Sequence, residues 1–281
     1  MDTICVAGAG TMGGNIASVF SAVGFQVRLC DQNKQQAAAG KERLGARVDI
    51  RVQRGKLEAQ LRDGIMERIL PSEIEECGDC VFALEAIYED EAAKKSIYGQ
   101  LEQILPADTV IASNTSSLSI TALASGLQDP SRFVGMHFFN PADTMRLVEV
   151  IHGEYTSEAT MQKTEKIAAE IGKTPIRAKE NPGFIVNRIL IPMINEAAGL
   201  LGEGIASAED IDTAMQLGAN LPMGPLHVGD LVGLDVCLAI MEVLQQETGE
   251  DKYRPHPYLR KMVRAGKLGR KTGQGFFDYK H

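Results

Sequence analysis

Positive charge is in short supply. The chain has 29 lysines and arginines against 37 aspartates and glutamates, a net charge of −8 at pH 7. That balance argues against nucleic acid as the main partner, because phosphodiester binding draws on basic side chains. It leaves room for a small anionic ligand, since phosphates respond to local basic clusters and to helix N-termini. Cysteine is also sparse. The five residues (Cys5, Cys30, Cys77, Cys80, Cys237) are odd in number and scattered, the usage of reduced cytosolic thiols and not of a disulfide framework. Cys77 and Cys80 have CxxC spacing, but no second pair follows, so no metal site is expected and Cys80 is read as the start of a strand. No apolar run reaches the length of a membrane span. No leader segment is read either, because strand patterning begins within the first few residues. A soluble, cytoplasmic protein with neither nucleic-acid nor membrane partners is expected.

The 281 residues, 44% apolar and 23% charged, have length for one large domain or two smaller ones. Thr3 to Ala7 reads as a buried strand, followed at once by Gly8-Ala9-Gly10-Thr11-Met12-Gly13. A helix with Ile16, Val19, Phe20 and Val23 at helical spacing follows and ends at Gly24, and Phe25 to Cys30 is a second strand closing on Asp31. This is a βαβ unit carrying GxGxxG, with an acid eighteen residues after its last glycine. In such a unit Gly8 permits the turn, Gly10 lets backbone approach a pyrophosphate and Gly13 packs helix on strand. The helix N-terminus faces the phosphates, and Asp31 accepts the adenosine ribose hydroxyls, favouring NAD over NADP. The glycines do not choose between NAD and FAD; a second domain bearing acid/base residues favours the nicotinamide.

Residues 34–70 read as long polar helices that include Arg47, Arg51, Arg54 and Lys56. Further strands are read at Cys80–Ala86, Thr109–Ser113 and Arg132–His137, and the alternation predicts a doubly wound, mostly parallel sheet of Rossmann type. His137 and Glu149 stand apart from that rhythm. They are twelve residues apart at the edges of two β-rich runs, and the intervening stretch is too short for a helical crossover, so the strands should run antiparallel. Such a hairpin can join an imidazole to a carboxylate. That contact fixes the tautomer and raises basicity at the other ring nitrogen, as a general base requires. Lys173 to Ala178 is read as a further edge strand.

From residue 183 the pattern becomes helical: Phe184–Gly202, a helix capped by Ser207 with Asp210 three residues on, and Pro225–Gln246. The expected domains are 1–182, binding the nucleotide, and 183–281, all-helical. Apolar positions after residue 183 (Ile185, Ile189, Leu190, Met193, Ile194, Leu231, Leu234, Leu238, Ile240, Met241) exceed what one small domain buries, and a two-fold homodimer through this region is expected. Asn187 falls at the expected junction, where ligand sites are common and hinge closure excludes water.

Six blocks occur in order: Gly8–Gly13, Glu85–Glu89, Ser113–Ser117, Gly135–Pro141, Asn181–Arg188 and Lys271–Phe276. With them the whole chain resembles the short-chain L-3-hydroxyacyl-CoA dehydrogenases, and among these the bacterial enzymes that act on 3-hydroxybutyryl-CoA. The resemblance implies an NAD-dependent oxidoreductase of short-chain fatty-acid or butyrate metabolism that interconverts (S)-3-hydroxybutyryl-CoA and acetoacetyl-CoA. It makes His137 the acid/base, oriented by Glu149, and places Ser116 and Asn187 around the substrate oxygens. Beyond the glycine loop (Gly8, Ala9, Gly10, Thr11, Met12, Gly13) and Asp31, it assigns Glu89, Lys94, Asn140 and Lys271 to NAD. Taken alone, Lys94 beside Glu91 on a helix reads as a solvated face and Asn140 before Pro141 as a turn residue. Arg51, Arg54 and Lys56 are the candidates for the CoA phosphates, in the helical region where the family's CoA contacts fall. This match is looser, because the family often has lysines where this chain has Ile50 and Arg54. Two rivals stay open: a dehydrogenase of free 3-hydroxy acids on the same plan, and a non-catalytic NAD-binding homologue.

Overall fold

The short apolar runs become the interior of one sheet. In the computed structural model, which describes residues 2–279, the first part of the chain runs β1 (Thr3–Ala7), α1 (Thr11–Ala22), β2 (Gln26–Cys30), α2 (Lys34–Gln53), α3 (Ala59–Arg68) and β3 (Ile69–Ser72). It continues through β4 (Phe82–Glu85), α4 (Glu91–Ile104), β5 (Val110–Ser113), α5 (Ile120–Ala124), β6 (Phe133–Phe138), β7 (Leu147–His152), α6 (Glu158–Glu170) and β8 (Thr174–Lys179). The eight strands lie in the order β3-β2-β1-β4-β5-β6-β7-β8. All neighbours pair parallel except β6 with β7. Helices on both faces leave the central strands no solvated side, so Ile4, Val6, Leu29, Phe82, Leu84 and Val134 are all fully buried. Ile16 and Phe20 of α1 close over them.

The 34–70 region departs from the sequence reading. Its helices end at Arg68, and Ile69–Ser72 forms a parallel edge strand with Val27 opposite Ile69. Four residues containing Pro71 carry no period of their own. They become a strand because the outer edge of β2 offers a hydrogen-bonding template, and an edge position tolerates proline.

The chain divides into two compact units between Glu180 and Asn181. The second is helical: α7 (Val186–Gly202), α8 (Ala208–Gly218), α9 (Pro225–Val232), α10 (Leu234–Thr248) and α11 (Pro257–Arg264). Its core gathers Ile191, Ile194, Ala198, Leu234, Cys237, Met241, Leu244 and Leu259. The helix expected over Pro225–Gln246 is two helices, broken at Gly233, whose φ of 104° lies outside helical space and is natural only for glycine. Asp230, 1% exposed, accepts the backbone N–H groups of Phe276 (2.9 Å) and Phe277 (3.0 Å) and the Tyr279 hydroxyl (3.1 Å), which ties residues 276–279 to α9. Burial raises its pKa against the pull of these donors. Among the described residues no helix is long and apolar enough to cross a membrane.

Candidate active site

The turn between β1 and α1 is built so tightly that two of its glycines admit no other residue. Gly8 has φ 113°, and a Cβ there would sit 2.5 Å from the Ala86 carbonyl oxygen; a Cβ on Gly13 would fall 1.8 Å from the carbonyl oxygen of Gly8. Gly10 is different. A Cβ there would meet nothing within 4 Å, so its backbone faces open space where a ligand has room to approach. Gly10 is also the N-cap of α1 and provides no side-chain cap. The first-turn N–H groups of Thr11, Met12 and Gly13 therefore offer donors for an anion.

Asp31 is clamped beside this turn. Its carboxylate accepts the N–H of Ala9 at 2.8 Å and that of Gln32 at 2.8 Å, which holds it rigidly at the end of β2. A cleft of about 550 Å³ opens here, lined by Gly8, Gly10, Asp31, Glu73, Ile87 and Tyr88 among others. Its volume is that of a cofactor-sized site. Glycine turn, open helix end and carboxylate stand together as a dinucleotide requires, so the residues present fit NAD.

Next to the cleft lies a buried charge network that joins Lys94 and Glu89 to Glu85, Tyr98 and Ser113, three residues given no role in the sequence reading. Glu85 ends β4 with no exposed surface. Its carboxylate accepts from Lys94 Nζ (2.6 Å), Ile87 N (2.7 Å), Ser113 Oγ (2.8 Å) and the Tyr98 hydroxyl. Burial and the Glu85 charge push the Tyr98 phenol far above its ordinary range. Lys94 is 1% exposed and also pairs with Glu89 at 3.2 Å, so the solvated-face reading of this lysine is wrong. Helical spacing alone cannot show that one face of α4 covers a buried carboxylate.

Glu89 joins the network to the loop after β5. One of its oxygens accepts from Thr115 Oγ1 (2.5 Å), Ser116 N (2.9 Å), Ser117 N (3.2 Å) and Ser117 Oγ (3.1 Å), with Ser116 Oγ at 3.5 Å. Burial opposes ionisation, but the Lys94 charge and these donors outweigh it and hold the Glu89 carboxyl below its usual range. Glu89, Lys94 and Ser116 thus form one connected group. Asn114, another residue given no role in the sequence reading, accepts the Phe138 N–H at 2.9 Å and links the same loop to β6.

His137 and Glu149 face each other across the antiparallel pair β6–β7, in direct register. His137 Nδ1 lies 2.8 Å from Glu149 Oε2, with the two residues 6% and 1% exposed. The Phe139 ring stands 4.6 Å from the imidazole, centroid to centroid. A buried carboxylate on Nδ1 sets the tautomer and directs proton exchange to Nε2. Asn140 follows, exposed, ahead of a cis peptide bond to Pro141.

Residues 3–181 match the family model for the NAD binding domain of 3-hydroxyacyl-CoA dehydrogenase, and residues 183–279 match that for its C-terminal domain. The chain belongs to the 3-hydroxyacyl-CoA dehydrogenase family. Its cofactor is NAD. A probable 3-hydroxybutyryl-CoA dehydrogenase of Deinococcus radiodurans is 47% identical over 98% of this chain and 99% of its own length. The 3-hydroxybutyryl-CoA dehydrogenase of Clostridioides difficile is 47% identical over 98% and 99%. The solved (S)-3-hydroxybutyryl-CoA dehydrogenase of Ralstonia eutropha superimposes with a TM-score of 0.93 at 43% identity, covering 100% of both chains.

In this dehydrogenase the basic candidates on α2 differ from one another. Arg51 is ion-paired with Asp143, in the turn between β6 and β7, so its charge is shared. Arg54, the C-cap of α2, and Lys56 just beyond it are exposed. Arg43, which had no assigned role, donates to the Ala9 carbonyl at 3.3 Å and braces the glycine turn. In the C-terminal unit, Asn187 is half-buried in the first turn of α7, and the exposed Lys271 pairs with Asp235 at 2.6 Å.

Proposed function

We propose that this chain interconverts (S)-3-hydroxybutyryl-CoA and acetoacetyl-CoA with NAD, using His137 and Glu149 as its acid–base pair. The observation that carries the reading is the buried His137–Glu149 contact in a chain so similar to enzymes of that name. In the oxidative direction His137 Nε2 takes the 3-hydroxyl proton, and Glu149 stabilises the imidazolium that results. In the reductive direction the imidazolium returns the proton to the forming alkoxide. NAD, when bound, would accept the hydride that leaves substrate C3, and NADH would return it. Ser116 hydrogen-bonds the reacting oxygen, on a loop that Glu89 holds in place. The family resemblance assigns Asn187 to the substrate and Asn140 and Lys271 to the cofactor, alongside Glu89 and Lys94. The first turn of α1 takes the pyrophosphate, and Asp31 the ribose hydroxyls. Arg54 and Lys56, with the partly neutralised Arg51, meet the CoA phosphates.

The test follows NADH absorbance with acetoacetyl-CoA and free acetoacetate offered in parallel. Oxidation with the thioester alone is expected. Equal rates with free acetoacetate would make the chain a hydroxy-acid dehydrogenase, and no turnover with either would make it a binding homologue.

Cofactor choice follows from Asp31. Replacing it with serine and Gln32 with arginine removes hydrogen bonds to a charged acceptor, worth about 1.5–3 kcal/mol, so kcat/KM for NAD should fall about tenfold or more. The value for NADP should rise, because the carboxylate that repels a 2′-phosphate is gone. An NAD:NADP ratio unchanged from wild type would move cofactor selection elsewhere.

A cytoplasmic homodimer completes this reading. In the C-terminal unit Ile194, Leu234, Ile240 and Met241 are buried within the chain, whereas Ile189 and Leu231 stay 69% and 55% exposed. A two-fold contact would cover them. Ile189→Asp should give a folded monomer by sedimentation equilibrium where wild type gives a dimer; a wild-type monomer ends the idea.

A further inference from the structure

Three thiols far apart in the sequence meet at the foot of the cofactor cleft. Cys5 lies in β1 opposite Arg28 of β2, two residues before Cys30, so both thiols leave the sheet on one face. Cys77 reaches the same point from the short 3₁₀ helix Ile74–Cys77 that follows β3. Their Sγ atoms all lie within 4.8 Å of one another, and Cys30 Sγ is 3.5 Å from Cys77 Sγ. A fourth donor stands beside them. The backbone carbonyl oxygen of Glu73 is 3.6 Å from Cys30 Sγ and 3.9 Å from Cys77 Sγ. Cysteines that read as scattered along the chain therefore converge, and Cys80, the other half of the CxxC, is not one of the three.

These spacings can be compared with a tetrahedral metal site. With Zn–S near 2.3 Å and Zn–O near 2.1 Å, a tetrahedron separates two sulfurs by about 3.8 Å and a sulfur from an oxygen by about 3.6 Å. Cys30, Cys77 and the Glu73 carbonyl are thus already close to the positions an ion would impose, and Cys5 Sγ lies within 4.8 Å of both other sulfurs. We propose that Cys5, Cys30, Cys77 and the Glu73 carbonyl form a buried zinc site. Simple packing of thiols as small apolar groups accounts for Cys237, whose pKa burial pushes up to about 12. It gives no reason for three thiols from separate elements to converge, two of them beside one carbonyl. Zinc would displace the thiol protons, leaving a net single negative charge on the ion and its three thiolates.

The position of the site gives the ion a route in and a consequence. Cys30 and Glu73 line the cleft together with Asp31, which follows Cys30 directly. An ion bound here would join β1, β2 and the 74–77 turn beneath the ribose-binding carboxylate, stabilising the N-terminal unit.

The reduced, chelator-treated full-length protein is titrated with Co²⁺, which reports thiolate ligation by charge-transfer absorbance, and then with Zn²⁺ in competition. Wild type should bind an equimolar amount with a tetrahedral thiolate spectrum that zinc abolishes. Cys77→Ala and Cys30→Ala should lose that spectrum, while Cys80→Ala and Cys237→Ala keep it. As a readout that requires no variant, zinc should slow iodoacetamide labelling of Cys30 in wild type, followed by peptide mass spectrometry. Absence of the charge-transfer band, a band that survives both Cys30→Ala and Cys77→Ala, or labelling of Cys30 indifferent to zinc each overturns the proposal.

Discussion

Replacing His137 with glutamine should lower turnover of acetoacetyl-CoA by about 10²- to 10⁴-fold while NADH binding stays at the wild-type level. Glutamine keeps a polar side chain that can donate to Glu149, now 2.8 Å from Nδ1, so the local packing of β6 against β7 has a reason to survive. What it lacks is a nitrogen that can take up and release a proton. The loss should fall on kcat and not on KM, because the imidazole is asked to act in the transition state. Fluorescence titration with NADH and steady-state rates check the two halves separately. Glu149→Gln should give a smaller loss of the same kind, since the neutral amide still orients the ring but no longer stabilises the imidazolium. Turnover of His137→Gln near wild type would remove the residue from the chemistry, however well placed it is.

The second large effect concerns stability. Lys94→Met should destabilise the N-terminal unit by about 3–5 kcal/mol, the cost of leaving a buried carboxylate without its counter-charge. Lys94 and Glu85 are 1% and 0% exposed and 2.6 Å apart, so neither water nor another cation can compensate. The double variant Glu85→Gln/Lys94→Met should recover part of that loss, because the fully buried charge is gone, Tyr98 and Ser113 retain a hydrogen-bonding partner, and only the partly exposed Glu89 is left without the lysine. Urea unfolding followed by circular dichroism measures all three proteins. If Lys94→Met lost less than about 1 kcal/mol, the pair would be behaving like an exposed ion pair, and its burial would be energetically irrelevant. Measuring KM for NADH in the same variants separates support of the fold from direct contact with the cofactor.

Local rules explain what is legible in the sequence. The glycine turn is written in sequence because each glycine answers a steric demand from its near neighbours: φ at Gly8, contact with Gly8 at Gly13. The His137–Glu149 pairing was legible too. A short connection between two strands forces an antiparallel hairpin in which the two residues can meet, and the fold supplies the register that pairs them. The strand at Ile69–Ser72 and the break at Gly233 were not. The first exists only because β2 has an open edge, and the second because the backbone turns sharply between α9 and α10.

The sequence by itself determined the first βαβ unit with its glycine turn and the hairpin that carries His137 and Glu149, since each is specified by residues within about thirty positions of one another. Tertiary structure alone decided where buried charge and sulfur would collect. Glu85 meets Lys94, Tyr98 and Ser113, and Cys5 meets Cys30 and Cys77, only when parallel crossovers bring β1, β2, β4 and β5 side by side. Helical and strand periods report which face of an element is apolar, whereas the partner that satisfies a buried polar group is set by which strands become neighbours.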